Sequence, residues 1–264
     1  MTTSSPLKRG AVERLVRIDH VLAESYGTPE RDLDNKDDPL DEAIYIILSL
    51  QTDLTRLRGT WSRLRRYYPT WAALLRTPTS SVAATLREGG LHWQKARTIR
   101  RLLAEVQHLA GSLSLDLLRS MDDECAERLL THLPGLSWKA ARCVLLYSLG
   151  RDMFPVDSNT FRILKRAGVL RASAVYRRRR LHDELQNAVV PVRRRAFHVN
   201  LVIHGQRVCL PRIPNCSGCP ILPMCPRVGM EAGSPAPTSR PESVNAREKC
   251  RRPDNGERRQ ARGA

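Results

Sequence analysis

The sequence predicts an all-α protein. Three observations carry that expectation. Apolar residues recur at helical spacing along most of the chain, no segment shows the strict alternation of a strand, and aromatics are only 5% against an apolar fraction of 41%. Such a core is packed with Leu, Val, Ile and Ala. At 264 residues the chain is long enough for one large domain or two modest ones.

Residues 11–26 (AVERLVRIDHVLAESY) place Val12, Leu15, Val16 and Leu22 on one stripe and stop at Gly27. Residues 41–50 (DEAIYIILSL) are nearly all apolar and predict a central, buried helix. Residues 54–68 are amphipathic and end at Pro69, and shorter helices are expected over 70–76 and 79–88. The long stretch 93–111 turns Ala96, Ile99, Leu103, Val106 and Ala110 inward. Residues 123–133 run into Pro134-Gly135, and helices over 139–149, 158–167, 174–189 and 196–208 follow. In the tail, 228–264, Pro, Arg, Ser and Glu dominate and large apolar residues nearly vanish. Such a segment buries too little to offset chain entropy, so disorder is expected there.

Lys and Arg number 44 against 27 Asp and Glu, a net charge of +17. The tail carries only +3 of this, so the folded part is itself basic and suited to a polyanion, nucleic acid above all. No window holds 18 consecutive apolar residues, and the N-terminus has no apolar core of a secretory signal. The expected setting is the cytosol, where thiols stay reduced.

Three local patterns carry chemistry. LPGLSWK (133–139) breaks one helix at Pro134-Gly135 and starts another near Ser137; by itself this is more often an ordinary αα-turn, but the unpaired N–H groups at the new helix end suit a phosphate, and the basic field and the long flanking helices favour that use. Lys139 sits in the first turn of the new helix. The positive helix end and partial burial both favour its free amine, the nucleophilic form, although a phosphate-contacting lysine is the simpler role. Asp157, 18 residues later in FPVDSNTFRIL, is either a helix cap or a carboxylate partner for that lysine. Finally, Cys209, Cys216, Cys219 and Cys225 form a C-x6-C-x2-C-x5-C run within 17 residues. Buried small apolar roles suit Cys125 and Cys143. Four thiols packed this closely suit an iron–sulfur cluster or structural zinc.

Taken in order, LPGLSWKAARCVLLYSLG, FPVDSNTFRILKRAG, FHVNLVIHGQRVC and the four-cysteine run resemble the endonuclease III branch of the helix-hairpin-helix DNA glycosylases, over residues 40–227. The resemblance implies a two-domain helical fold. Residues 40–151 would form a six-helix domain carrying the hairpin, and residues 1–39 with 152–227 a second domain holding a 4Fe–4S cluster on the four cysteines. It implies a monomer, nucleoid-associated, acting on double-stranded DNA that contains damaged bases or abasic sites. It further implies a combined glycosylase and lyase in which the target nucleotide is flipped out, Lys139 attacks C1′ to give a Schiff base, and Asp157 assists. Oxidised pyrimidines are the implied substrates. Gln51 matches a glutamine that fills the gap left by the flipped base, and Leu91 a leucine wedged into the duplex. Leu133, Gly135 and Ser137 belong to the hairpin that grips the backbone. Arg207 and Arg212 would meet the backbone beside the cluster. His204-Gly205 reads as helix packing. A monofunctional enzyme of the adenine-mismatch type, or a non-catalytic DNA-binding protein, are the alternatives. The sequence departs from the family pattern where Ser137 and Trp138 replace a glycine and a basic residue, and where LSLQTD is one residue short.

Overall fold

The computed structural model describes residues 5–27 and 33–230. Eleven α-helices are found among them: α1 Ala11–Tyr26, α2 Pro39–Ser49, α3 Leu54–Tyr67, α4 Trp71–Arg76, α5 Thr79–Thr85, α6 His92–Ala110, α7 Asp123–His132, α8 Trp138–Ser148, α9 Ser158–Arg166, α10 Arg179–Ala188 and α11 Arg194–Arg207. Side-chain caps start many of them. Asp38, Asp53, Thr70, Asp122, Ser137 and Asp157 each accept a hydrogen bond from a backbone N–H of the first turn, filling donors the helix cannot satisfy itself. The described residues contain no sheet. A single antiparallel bridge joins Leu7 to Leu170. Among the described residues no helix is long and apolar enough to cross a membrane.

The buried residues form two hydrophobic clusters within one compact body. The first gathers α2 to α8 around Ile44, Ile47, Leu103 and Leu145, with Val199 and Ile203 from α11. The second gathers α1, α9, α10 and α11 around Leu15, Phe154, Leu164 and Phe197, with Ile221 from the cysteine loop. α11 therefore faces both clusters, which is why it is buried nearly all round.

Four expectations need correction. On α1 the inward stripe is Ala11, Leu15, Ile18 and Leu22, while Val12 and Val16 are 53% and 57% exposed. Positions 11, 15, 18 and 22 follow the helical repeat, and the two valines lie one residue off it. The helix expected over 79–88 ends at Thr85 and tightens into a 3-10 turn at Arg87–Gly89, because Gly90 takes φ +68° and reverses the chain. The helix expected from 174 starts only at Arg179, after turns closed by Ala174 N to Arg171 O and Arg178 N to Val175 O. Ala110 is half-buried, not inward. Most of the expected tail lies outside the described residues. At its start, Val228 N donates to Arg166 O at 2.9 Å.

Candidate active site and cysteine loop

The hairpin begins where α7 stops at Leu133. Leu136 N closes a turn on Leu133 O at 3.2 Å, and both leucines are buried in the first cluster. Gly135 between them has φ +86°, and a Cβ there would stand 2.3 Å from Thr98 Cγ2. Ser137 caps α8, its Oγ accepting from Ala140 N at 3.4 Å, so the serine that replaces a glycine takes up one helix-end donor. Gly135 and Ser137 stay exposed. Trp138 is half-buried, with the Arg179 guanidinium 4.9 Å from its ring centroid.

Lys139 follows on the inward side of α8. Burial pushes its amine towards the neutral form, but the neighbouring Cys143, Asp157 and Glu42 outweigh burial and raise its pKa above the ordinary lysine value. The sequence expectation of a resting free amine is thus reversed. Acidic neighbours hold an ammonium, and the proton must leave before the nitrogen can attack. Cys143 lies one turn further on; burial pushes its thiol up to about 11, so near neutrality it is a thiol. Glu42, from α2, is fully buried, which drives its carboxyl up to about 7 against hydrogen bonds from Lys36 N and Asn35 Nδ2.

Asp157 caps α9, with Oδ1 accepting from Thr160 N and Oδ2 from Asn159 Nδ2, both at 2.7 Å. Burial would raise its pKa, but the His198 ring, the Thr160 amide, the Lys139 charge and the Asn159 amide together hold it below the usual carboxylate range. His198 from α11 is itself buried, which drives its imidazole down to about 4 and keeps it neutral. Tyr176 interacts electrostatically with both Asp157 and Lys139, and burial raises its phenol. Of the two roles weighed for Asp157, the cap role is seen directly, and its charge also acts on Lys139. Sequence reading missed Glu42, Tyr176 and His198 and treated Cys143 as filler. An acid inside an otherwise apolar helix, and a thiol four residues after Lys139, were the available signals.

A hydrogen-bonded brace leads from Asp157 to the cysteine loop. Asn159 Oδ1 accepts from Arg162 at 2.8 Å, and the same guanidinium donates to Gly205 O and Cys209 O, each at 2.9 Å. Gly205 is required there, because a Cβ would lie 2.6 Å from Asn159 Cβ.

All four cysteines of the loop are free, and they line one pocket with His204 and Arg166. Local turns build the loop, such as Cys219 N to Cys216 O at 3.2 Å and Cys225 N to Leu222 O at 3.1 Å. Burial lifts the Cys219 thiol to about 11, with further upward pushes from the charges of Cys209, Cys225 and Cys216. Four sulfurs around one pocket form a soft donor set that fits iron–sulfur chemistry. Arg207 and Arg212 are exposed beside it.

Gln51 follows the end of α2 and Leu91 stands just before α6. Both are exposed, and both hold left-handed backbone, φ +52° and +47°. For residues with a side chain that conformation costs about 1–2 kcal/mol each, so the surrounding structure must enforce it.

The family model for HhH-GPD superfamily base excision DNA repair proteins matches residues 44–186, a segment that includes the hairpin, Lys139 and Asp157. The Arabidopsis thaliana protein named "Putative DNA glycosylase At3g47830" is 31% identical over 153 residues, covering 56% of this chain and 52% of that protein. The chain thus spans about half the length of that relative. Endonuclease III of Buchnera aphidicola is 25% identical over 182 residues, covering 69% of this chain and 79% of that protein. The solved structure of a trapped endonuclease III–DNA covalent intermediate superposes with a TM-score of 0.70 at 21% identity, covering 81% of this chain and 95% of that one, a likeness of fold. The matched family segment is more than half of the chain, which belongs to the HhH-GPD superfamily of base excision DNA repair proteins.

Proposed function

We propose that this chain is a bifunctional glycosylase and abasic-site lyase acting on duplex DNA with damaged bases, oxidised pyrimidines foremost. The observation that carries the reading is Lys139 at the start of α8, in electrostatic contact with the ionised Asp157. A target base cannot be reached within the stack, so its nucleotide turns out of the duplex into the site. The Lys139 ammonium first gives up a proton through Asp157, and the departing base takes that proton up, which leaves the carboxylate ionised again. The Lys139 nitrogen then forms a bond to C1′ as the base leaves with the glycosidic electron pair. Opening of the sugar ring gives a protonated Schiff base, and loss of the C2′ proton expels the 3′ phosphate. Asp157 stabilises the positive charge that develops on the sugar, and its hydrogen bonds from Thr160 and Asn159 keep it ionised for that role. The covalent intermediate named in the solved endonuclease III complex supports a lyase here too.

Cys209, Cys216, Cys219 and Cys225 would hold a 4Fe–4S cluster. The four thiols share one pocket, and an all-sulfur, soft donor set is what such a cluster takes. When bound, the cluster ties the loop together and takes no part in bond making. On this reading the two hydrophobic clusters are the cores of two domains, with the flipped nucleotide between them. Gln51, Leu91, the turn Leu133–Gly135–Ser137 and Arg212 contact the duplex.

Borohydride reduction on abasic-site DNA tests the chemistry. Wild type should form a covalent adduct. Lys139→Ala should form none while binding duplex within about tenfold, since most affinity comes from phosphate contacts elsewhere. Absence of an adduct from wild type rejects the lyase. An adduct that persists in Lys139→Ala rejects this lysine as the nucleophile.

A further inference from the structure

Lys95 is among the largest fully buried side chains of the described residues, 2% exposed, in the first turn of α6. An ammonium in a protein interior costs several kcal/mol unless it is paired. No ion pair is found for Lys95 among the described residues. Its Nζ donates instead to Leu48 O at 2.8 Å, Thr52 Oγ1 at 2.6 Å and Gly89 O at 2.7 Å. Three donors meet three acceptors, so the charge is fully hydrogen-bonded though unpaired. The desolvated amine is pushed down to about 8.

The acceptors explain why a cation stands where leucine would pack. Leu48 is near the C-terminal end of α2, and Gly89 ends the 3-10 turn Arg87–Gly89. Carbonyls at helix ends lack partners within the helix and carry partial negative charge. Lys95 therefore caps two chain ends at once. Leu48 and Thr52 flank Gln51. Gly89 lies two residues before Leu91, whose carbonyl accepts from Lys95 N at 2.9 Å. Thr52 Oγ1 adds a direct link, donating to Gly89 O at 2.7 Å. Both exposed left-handed residues thus hang on one buried amine, although 40 positions separate them in sequence.

We propose that Lys95 is a positioning residue that locks the Gln51 and Leu91 loops into a single rigid wedge for the DNA duplex. The inference rests on the reading of Gln51 and Leu91 as duplex contacts. It adds that neither works unless the other is held in register. Without the ammonium the carbonyls of Leu48 and Gly89 separate, and both residues relax out of the left-handed region.

The test measures the preference of the full-length protein for a duplex with one tetrahydrofuran abasic-site analogue over the same duplex intact. Lys95→Met keeps the length of the side chain and removes the donors. Its preference should fall at least tenfold, with binding to intact duplex within twofold and the wild-type far-ultraviolet spectrum retained. The Lys95→Met, Leu91→Ala double variant should be no worse than either single variant, because residues acting as a unit are not additive. Thr52→Val, which removes one leg of the clamp, should lose preference in the same direction by a smaller factor and serves if Lys95→Met does not fold. The proposal is overturned if Lys95→Met, or Thr52→Val in its place, keeps the wild-type preference while Leu91→Ala and Gln51→Ala lose it. If Leu91→Ala and Gln51→Ala themselves keep it, the duplex-contact reading fails instead, and the wedge with it.

Discussion

Replacing Gly135 with alanine should damage the hairpin by an amount that separates into two parts. The first is conformational: φ is +86°, and an L-residue held in left-handed space costs about 1–2 kcal/mol. The second is steric. The new Cβ would stand 2.3 Å from Thr98 Cγ2 and 3.3 Å from Ile47 Cδ1, against a packed cluster that yields little. Overpacking of that kind typically costs about 1–3 kcal/mol. Together they amount to about 2–5 kcal/mol, and at about 2–4 °C per kcal/mol for a chain of this size the melting temperature should fall by about 4–20 °C. Adding Thr98→Ser removes the clashing Cγ2 and should recover most of the steric part, leaving about 1–2 kcal/mol from the backbone and the tighter contact with Ile47. Calorimetry of wild type, Gly135→Ala, Thr98→Ser and the double variant measures both parts in one cycle. A Gly135→Ala melt within 1 °C of wild type, or no coupling between the two sites, would refute the reasoning.

Glu42→Gln removes a carboxylate whose buried pKa of about 7 lies above its ordinary 4.5. The folded state then binds more protons than the unfolded one between those values, so wild-type stability falls as pH rises through the window. The melting-temperature advantage of the variant should be absent near pH 4.5 and largest above pH 7. The same change takes a negative charge from beside Lys139, so the alkaline rise of the trapping rate should shift to lower pH; superimposable profiles contradict that link. Arg142→Met strips the buried guanidinium that binds Glu127, Asp183 and the His182 carbonyl. It should lower stability by about 3–5 kcal/mol in a urea melt, and a loss below 1 kcal/mol argues against a cooperative network. Cys219→Ser should leave purified protein with little iron, and full iron content in that variant would remove it from the proposed ligand set. Val12→Ser with Val16→Ser should change stability by less than about 0.5 kcal/mol, and a large loss would restore the original inward stripe.

The helices were legible because their signals are local. Capping aspartates, Pro69 and Gly27 mark ends within a residue or two of where the chain turns. The errors have equally local causes. On α1 two valines beside the true stripe mimic it, and only the packing partner tells which face is covered. At Arg177–Arg178 nothing in a run of arginines distinguishes a turn from a helix. The hairpin, Lys139 and Asp157 were readable as a spacing, yet the charge on Lys139 was not. Helix dipole and burial are visible from the sequence, whereas Glu42 reaches the site from a helix nearly a hundred residues earlier. Lys95 was hidden for the same reason. A lysine in an amphipathic segment reads as solvent-facing unless the carbonyls it serves are known.

α1 packs chiefly on α11, and 168 positions separate Tyr26 from Arg194. The order of synthesis follows from that. As the chain leaves the ribosome, the first cluster can assemble almost whole, while Leu15, Ile18 and Leu22 wait for Phe197 and Leu201 to arrive. Asp157 waits as well, since Arg162, which steadies Asn159, takes its anchor points from Gly205 and Cys209. A nascent polypeptide therefore carries Lys139 before Asp157 is held in place, and the second cluster is complete only when α11 closes over α1.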